Sequence, residues 1–210
     1  METANDVTRM RTVGGNLTLD YLNTRSGPPV GAPDDDVLLS YDDVLAWARH
    51  VDLLADQEVT RLLRRARKDP DGAHVAYQRA LAVREHLDEL FRTVAAGGRP
   101  ASQRLAWLRD TTAEALAHAQ LAPGHDRFGW HWTADQDLAR PLWPIVHAAA
   151  DLLTNGPLDR IKACAGCRFL FIDESKNRSR RWCSMEDCGT AEKIRRYVSR
   201  RAATHTRTAR

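Results

Sequence analysis

The sequence predicts an α+β protein in two parts: a predominantly helical N-terminal domain with a small antiparallel β element, followed by a small C-terminal module. Two observations place the boundary after Pro157. Residues 158–210 carry 14 Lys and Arg against 6 Asp and Glu, a net charge of +8, whereas residues 1–157 carry a net charge of −5. All four cysteines also lie in the C-terminal part. Because charge and cysteine content change together, we expect an acidic domain over 1–157 and a basic module over 158–210.

Apolar residues at helical spacing predict five helices in the N-terminal domain. The predicted ranges are 37–54, 58–67, 73–95, 102–113 or beyond, and 144–153. Ser40 and Asp43 have the spacing of a helix cap, so we expect a helix to start there within the first range. Turn-forming residues at 69–72, 97–100 and 155–157 predict the ends of the second, third and fifth helices.

Two other stretches alternate apolar and polar residues, which predicts strands. The first is 17–21, near the start of the chain. The second consists of 117–121 and 128–132, which flank a turn containing Pro123 and Gly124 and predict an antiparallel hairpin. The aromatic residues of the second arm also fit an irregular loop.

The four cysteines occur as two close pairs, Cys164-x2-Cys167 and Cys183-x4-Cys188, with fifteen residues between the pairs. This spacing is typical of a structural zinc site, in which four thiolates surround the ion as a tetrahedron. Two disulfides or four free thiols are the alternatives. No export signal supports the oxidising compartment that disulfides need, and free cysteines are not expected to cluster in pairs. The spacing therefore predicts one structural Zn²⁺, because four protein ligands leave no open position for catalysis.

Around the cysteines the sequence predicts a hairpin and a helix. Residues 169–172 predict a strand, 173–177 a turn, and 180–183 a returning strand that brings the second cysteine pair to the first. Cys188 then opens a helix over 190–201, whose N-terminal dipole favours a nearby thiolate. A knuckle, a hairpin and a helix in this order predict a treble-clef-like zinc finger.

The same module carries many basic residues. Lys193, Arg196 and Arg200 recur at helical spacing and form a basic stripe on the last helix. A small module with this charge has the electrostatic footprint of phosphate binding, so we expect DNA as its partner. A cationic face with no ligand, or one that docks the acidic N-terminal domain, is the alternative. The predicted nucleic-acid contacts are Arg178, Arg180, Arg181, Lys193, Arg195, Arg196, Arg200 and Arg201.

Some residues outside these motifs fit two roles. Trp130, Trp132 and Trp143 belong either to the core or to the wall of a ligand pocket. Asp20 and Asn23 are either structural capping groups or pocket residues. The last helix also has an apolar face that we expect to pack against the rest of the protein. Its residues are Ile194, Tyr197 and Val198.

Both ends of the chain resemble one protein family. CAGC at 164–167, FLFID at 169–173, SKNRSRRWCSM at 175–185 and CG at 188–189 resemble the CGNR zinc finger proteins. GNLTLDYLNT at 15–24 is similar to the start of the ABATE domain that precedes this finger. The resemblance implies a bacterial, stress-responsive transcription regulator, in which the finger binds DNA and the N-terminal domain is a sensor with a small-molecule effector.

The chain departs from the motif that names the family. Where the family has Cys-Gly-Asn-Arg, this chain has Cys188-Gly189-Thr190-Ala191. Thr190 keeps a side chain that can cap the helix start. Ala191 removes an arginine, and with it a DNA contact that the family pattern implies, although basic residues follow from Lys193 onwards.

Other function classes find no support in the sequence. It has no nucleophile–base pair, phosphate-binding glycine loop or dinucleotide fingerprint, so we expect no enzyme. No run approaches the ~18–20 apolar residues of a membrane span, and the N-terminus has no apolar signal region. We therefore expect a cytoplasmic protein with no membrane partner. A protein–protein adaptor, or a small-ligand sensor whose zinc finger is only structural, is the alternative to DNA binding.

Overall fold

The computed structural model describes residues 7–124, 126–133 and 136–208, and side chains as far as residue 199. The described strands form three two-stranded antiparallel sheets, β1 with β2, β3 with β4 and β5 with β6. The predicted α+β class with a predominantly helical N-terminal domain is confirmed. The helices are α1 (Leu17–Leu22), α2 (Tyr41–His50), α3 (Asp56–Lys68), α4 (Pro70–Ala95), α5 (Ser102–Ala117), α6 (Leu142–Asn155) and α7 (Thr190–Thr208). The strands are β1 (Arg25–Ser26), β2 (Asp35–Asp36), β3 (Ala119–Pro123), β4 (Phe128–Trp132), β5 (Ile161–Ala163) and β6 (Leu170–Ile172).

Local capping fixes where the predicted helices begin. Ser40 caps α2, since its Oγ accepts the Asp43 N–H at 3.3 Å while the Asp43 carboxylate accepts the Ser40 hydroxyl at 2.8 Å. The helix is therefore shorter than the predicted 37–54. Asp69 caps α4 by accepting the Gly72 N–H at 2.9 Å, and Pro70 occupies the first helical position. The turn predicted at 69–72 is thus the start of α4.

The strand predicted at 17–21 is wrong, because these residues form α1. Asn16 caps the helix by accepting the Thr18 N–H at 2.9 Å. All residues from Thr18 to Leu22 are buried, so the polar members Thr18 and Asp20 do not mark a solvent-facing side. An alternation of apolar and polar residues identifies a strand only when one of its faces is exposed to solvent. Here both faces of the segment are buried, so the pattern carries no information about its secondary structure.

The predicted hairpin near the middle of the chain is confirmed as β3 and β4. β3 begins at Ala119, later than predicted, because α5 continues to Ala117. Ala119 pairs with Trp132, which is buried with Trp143 in a small cluster beside α5 and α6. Trp132 and Trp143 therefore belong to the core, whereas Trp130 remains 41% exposed.

One hydrophobic core extends from the N-terminal domain into the C-terminal module. α1 packs against α4, α6 and β6, so it lies between the helices and the second hairpin. Ile161, Leu170 and Ile172, from β5 and β6, are buried in the same cluster as the side chains of α1 to α4 and α6. The basic module is therefore anchored by its apolar strands.

The C-terminal hairpin differs from the predicted one. β6 matches the strand predicted at 169–172, but its partner is β5, with Ile161 opposite Ile172. Residues 180–183 were expected to form the returning strand, and within the described chain they are irregular. Among the described residues, one backbone–backbone hydrogen bond joins this segment to the knuckle: the Ala165 N–H donates to the Arg181 carbonyl at 2.9 Å. The treble-clef arrangement stays a prediction.

None of the helices in the described residues combines the length and the apolar content that a membrane-spanning helix needs.

Candidate metal centre and basic helix

The turn between β5 and β6 carries the first cysteine pair. The Cys164 N–H donates to the Phe169 carbonyl at 2.9 Å and closes this turn. The Cys164 sulfur accepts two backbone N–H groups, from Gly166 and Cys183, each at 3.3 Å. N–H groups directed at a sulfur favour its thiolate form, which is the form that binds metals.

The second pair reaches the first through an irregular segment and a wide helical turn, Met185–Gly189. Ser184 caps this turn by accepting the Asp187 N–H at 3.2 Å. Cys188 lies within the turn, and Gly166 stands against it: a Cβ at Gly166 would lie 2.9 Å from the Cys188 Cβ. Thr190, where the family has Asn, donates its hydroxyl to the Met185 carbonyl at 3.0 Å and joins α7 to the turn.

The four sulfurs fit one zinc ion. The sulfurs of Cys164, Cys167, Cys183 and Cys188 all lie within 4.8 Å of one another. The distance from Cys167 Sγ to Cys183 Sγ is 3.6 Å, and from Cys183 Sγ to Cys188 Sγ it is 3.8 Å. A tetrahedron with Zn–S bonds of about 2.3 Å has edges of about 3.8 Å, so the observed separations are those of a four-cysteine zinc site. The predicted cofactor, one structural zinc, is confirmed by this arrangement.

Protonation explains why this cluster suits a dication. Hydrogen bonds from the Cys167 and Cys183 thiols lower the pKa of Cys164. The hydrogen bond to Cys164 in turn raises the pKa of Cys167 to about 12 and also raises that of Cys183. Without a cation, one thiolate therefore keeps its neighbours protonated. A bound Zn²⁺ would compensate four negative sulfurs, and binding would release protons.

Asp173, directly after β6, organises the loop that leads to the second cysteine pair. It is fully buried. Its carboxylate accepts from Lys162 Nζ at 2.6 Å, the Ser175 hydroxyl at 2.6 Å and the Arg180 N–H at 3.0 Å. Burial alone would raise the pKa of Asp173, but the hydrogen bonds from Lys162 and Ser175 hold it below its ordinary value. The sequence predicted the turn at 173–177 but not the role of Asp173 in it, although an Asp two positions before a Ser is a recognisable turn signal.

Three predicted DNA contacts, Arg178, Arg180 and Arg181, lie in the loop before Cys183. One of them directs its side chain into the module, which we call inner, and the other two are at the surface, which we call outer. Arg180 is inner: its guanidinium lies 4.4 Å from the Phe171 ring centroid and donates to the backbone carbonyls of Trp182, at 2.9 Å, and Cys183. Arg178 is exposed, with a φ of 50°, and forms an ion pair with Asp159.

Arg181 is the second outer residue of this loop. It is exposed, and its guanidinium lies 5.3 Å from the Trp182 ring centroid. Since the Arg181 carbonyl accepts the Ala165 N–H, the backbone is fixed at the knuckle while the side chain stays at the surface. Arg178 and Arg181 are therefore accessible to a partner, whereas the Arg180 guanidinium binds within the module.

α7 is exposed along most of its described side chains. Every residue from Lys193 to Ser199 is exposed, so this helix does not dock on the acidic domain through them. Glu192 pairs with both Arg195 and Arg196, the latter at 2.7 Å. Lys193 has no ion pair among the described residues. The backbone of Arg200 and Arg201 continues the helix, but their side chains lie outside the described residues.

The expectation that the apolar face of α7 packs against the protein is wrong. Ile194 is 58% exposed, Tyr197 59% and Val198 58%. The spacing of these residues predicted an apolar stripe, and the stripe is present. A hydrophobic pattern predicts that residues share a face but does not identify the surface that covers this face. Within the described part of the chain, Ile194 and Val198 stay more than half exposed.

The N-terminal domain forms hydrogen bonds to the hairpin that carries the first cysteine pair. Asn23 donates from Nδ2 to the Leu170 carbonyl and accepts the Leu170 N–H at Oδ1, both at 2.9 Å. The Ile172 N–H donates to the Gly14 carbonyl at 2.9 Å, and the Gly14 N–H donates to Asp20 at 2.8 Å. Asp20 and Asn23 are thus structural residues that join the two parts of the chain.

A second junction uses an arginine next to a zinc ligand. Arg168 follows Cys167 and is buried, with its guanidinium 3.3 Å from the carboxylate of Asp88 on α4. Arg92 donates to the Arg168 carbonyl at 2.6 Å, and the Arg168 N–H donates to the Gly27 carbonyl at 3.1 Å. This arginine therefore attaches the knuckle to the N-terminal domain instead of contributing to the basic surface.

Comparison with known proteins gives two matches that divide the chain where its charge changes. Residues 15–156 match the ABATE family model, described as "Putative stress-induced transcription regulator". Residues 160–201 match the model of the CGNR zinc finger, which contains the four cysteines and most of α7. No curated protein matches the chain. Since the first model alone covers more than half of the sequence, the chain belongs to the ABATE family and ends in a CGNR zinc finger.

Proposed function

We propose that this protein is a cytoplasmic, DNA-binding transcription regulator without enzymatic activity. Zinc holds the C-terminal module, and the exposed side of α7 contacts the DNA. The observation that carries the proposal is the uninterrupted exposure of residues 193–199, a cationic helix fixed at its first turn to a metal centre. Structural zinc sites stabilise a small module in this way without taking part in chemistry.

The electrostatics of α7 suit a polyanion. Lys193 and Arg196 are exposed at i and i+3, one helical turn apart on the same side. Contacts of this kind between cations and phosphates release counterions and supply affinity without sequence preference. Arg178 and Arg181 extend the predicted interface onto the loop. Arg180 is left out of it, because its guanidinium binds within the module.

The test measures DNA binding against salt with a matched control. Lys193→Gln/Arg196→Gln removes two exposed charges at i and i+3 of α7. Arg64→Gln/Arg67→Gln removes two exposed charges at the same spacing on α3, in the N-terminal domain. Fluorescence anisotropy with a labelled duplex, between 50 and 200 mM salt, gives the slope of log K against log salt.

We expect the α7 variant to bind more weakly and to lose about 1.8 from its salt slope, since each lost phosphate contact removes about 0.9. The α3 variant should behave as the wild type. If the wild type binds no duplex at the lowest salt, or if both variants lose affinity equally, DNA binding through α7 is refuted. The adaptor function would then be the better account. The small-molecule effector of the N-terminal domain stays a prediction.

A further inference from the structure

The exposed side of α7 is not only basic. Within the apolar stripe of Ile194, Tyr197 and Val198, the two aliphatic residues stand at i and i+4 along the helix, and each is 58% exposed. A solvent-facing helix normally turns such a stripe toward a core. Two exposed β-branched residues one turn apart are therefore a surface suited to a partner.

The charges around the stripe indicate the kind of partner. Lys193 and Arg195 are the sequence neighbours of Ile194, and successive residues on a helix are about 100° apart. One cation therefore lies on each side of the apolar stripe. This cross-section, apolar in the middle and positive on both flanks, complements a groove that has an apolar floor and two negative walls.

The major groove of DNA has this composition. It is about 12 Å wide and admits an α-helix, its walls are rows of phosphates, and thymine places a C5-methyl group on its floor. Building on the proposed function, we propose that α7 lies in the major groove with Ile194 and Val198 against thymine methyl groups. Lys193 and Arg195 contact the phosphates of opposite walls, so the helix recognises A·T pairs by apolar contact.

A second copy of the chain is the other occupant to consider, and the structure favours it less. Pairing two α7 helices through this stripe would bring their flanking cations together, and like charges repel at short distance. A stable interface also needs about 800 Å² on each partner. The three side chains of the stripe, Ile194, Tyr197 and Val198, supply only a small part of that area.

The proposal is tested by removing only the methyl groups from the DNA. Two pools of random-sequence duplexes are amplified from the same templates, one with dTTP and one with dUTP, so that the second pool lacks every thymine C5-methyl. The two pools compete for binding to the full zinc-loaded chain. The measured quantity is the ratio of thymine DNA to uracil DNA that the protein retains. We expect the thymine pool to be preferred about fourfold for each methyl contacted, the equivalent of burying one methyl group.

Three variants separate the contributions. Ile194→Ala/Val198→Ala keeps good helix formers and should bind the two pools equally. Lys193→Gln/Arg195→Gln removes the two flanking cations and should bind both pools more weakly while keeping the preference. Val75→Ala, which shortens a 66% exposed valine on α4, is the matched control and should behave as the wild type.

The outcomes distinguish this proposal from the one it rests on. A wild type that binds both pools with equal affinity overturns the thymine contact and leaves DNA binding intact. A wild type that binds neither pool overturns both. Sedimentation velocity addresses the second copy: a dimer that Ile194→Ala/Val198→Ala abolishes, with no change in the pool ratio, would assign the stripe to self-association and overturn the groove contact.

Discussion

Replacing Asn23 with alanine should loosen the zinc hairpin from the N-terminal domain. Asn23 is 3% exposed, and its amide makes a hydrogen bond to each backbone group of Leu170, which is fully buried. β6 uses its other edge to pair with β5. The Asn23 side chain thus takes the place of a neighbouring strand, and its removal leaves a buried N–H and a buried carbonyl without partners.

The cost follows from these two groups. A buried donor or acceptor that loses its partner costs about 1–3 kcal/mol. Asn23→Ala leaves one of each, so we expect the free energy of unfolding to fall by about 2–6 kcal/mol. Native proteins have about 5–15 kcal/mol in total, so the variant loses a large part of its stability. For a chain of this size, each kcal/mol lowers Tm by about 2–4 °C.

Urea denaturation followed by tryptophan fluorescence, with zinc in excess, measures this loss. Asn155→Ala is the control, because Asn155 is an exposed residue at the end of α6. Among the described residues its amide donates to Asp151, on the same helix. The control should change the free energy of unfolding by less than about 0.5 kcal/mol. If Asn23→Ala costs no more than the control, Asn23 does not hold the hairpin and the assignment is refuted.

Three further outcomes are expected. Asp20→Asn keeps an oxygen for the Gly14 N–H but removes a carboxylate whose pKa burial raises. The stability of the wild type relative to this variant should therefore fall as the pH rises from the pKa of Asp20 in the unfolded chain, about 3.9, through its raised pKa in the folded protein. Asp20→Ala also removes the acceptor of the Gly14 N–H, so it should lower the free energy of unfolding by about 1–3 kcal/mol. Urea denaturation at several pH values checks both. Glu192→Gln frees the two arginines with which it pairs, so anisotropy should give tighter DNA binding and a steeper salt slope. Removing zinc with a chelator should lower the urea midpoint of one common transition, because Leu170 and Ile172 belong to the shared core; two separate transitions in fluorescence and circular dichroism would contradict this.

The sequence predicted the amphipathic helices well and failed at α1 for a physical reason. α2 and α4 each begin after a residue that the sequence marked as a helix boundary. Ser40 caps the N-terminus of α2, and Asp69 caps the N-terminus of α4. α1 is six residues long and buried on every side. A short element in the centre of a fold has no polar face, so periodicity cannot assign it. Its capping residue, Asn16, was the available signal.

Within the finger, the zinc ligands were predictable and the strand pairing was not. Cysteine spacing reports directly on the metal, because four sulfurs must converge on one ion. The three residues of β5, Ile161–Ala163, are too few to carry a pattern, and they become a strand only through pairing with β6. Likewise, the arginine count predicted a basic surface, but only the structure distinguishes Arg180, whose guanidinium binds backbone carbonyls, from Arg181, which is exposed.

Pro157 is therefore a boundary of charge and of family models, but the hydrophobic core continues across it. β6 pairs with β5 on one edge and with Asn23 and Gly14 on the other, so the segment that marks the start of the ABATE match also holds the zinc hairpin. A change in the N-terminal domain that displaces α1 must either break the two Asn23–Leu170 hydrogen bonds or carry the hairpin with it. Since α7 is joined to the same metal centre, the position of the basic helix depends on α1.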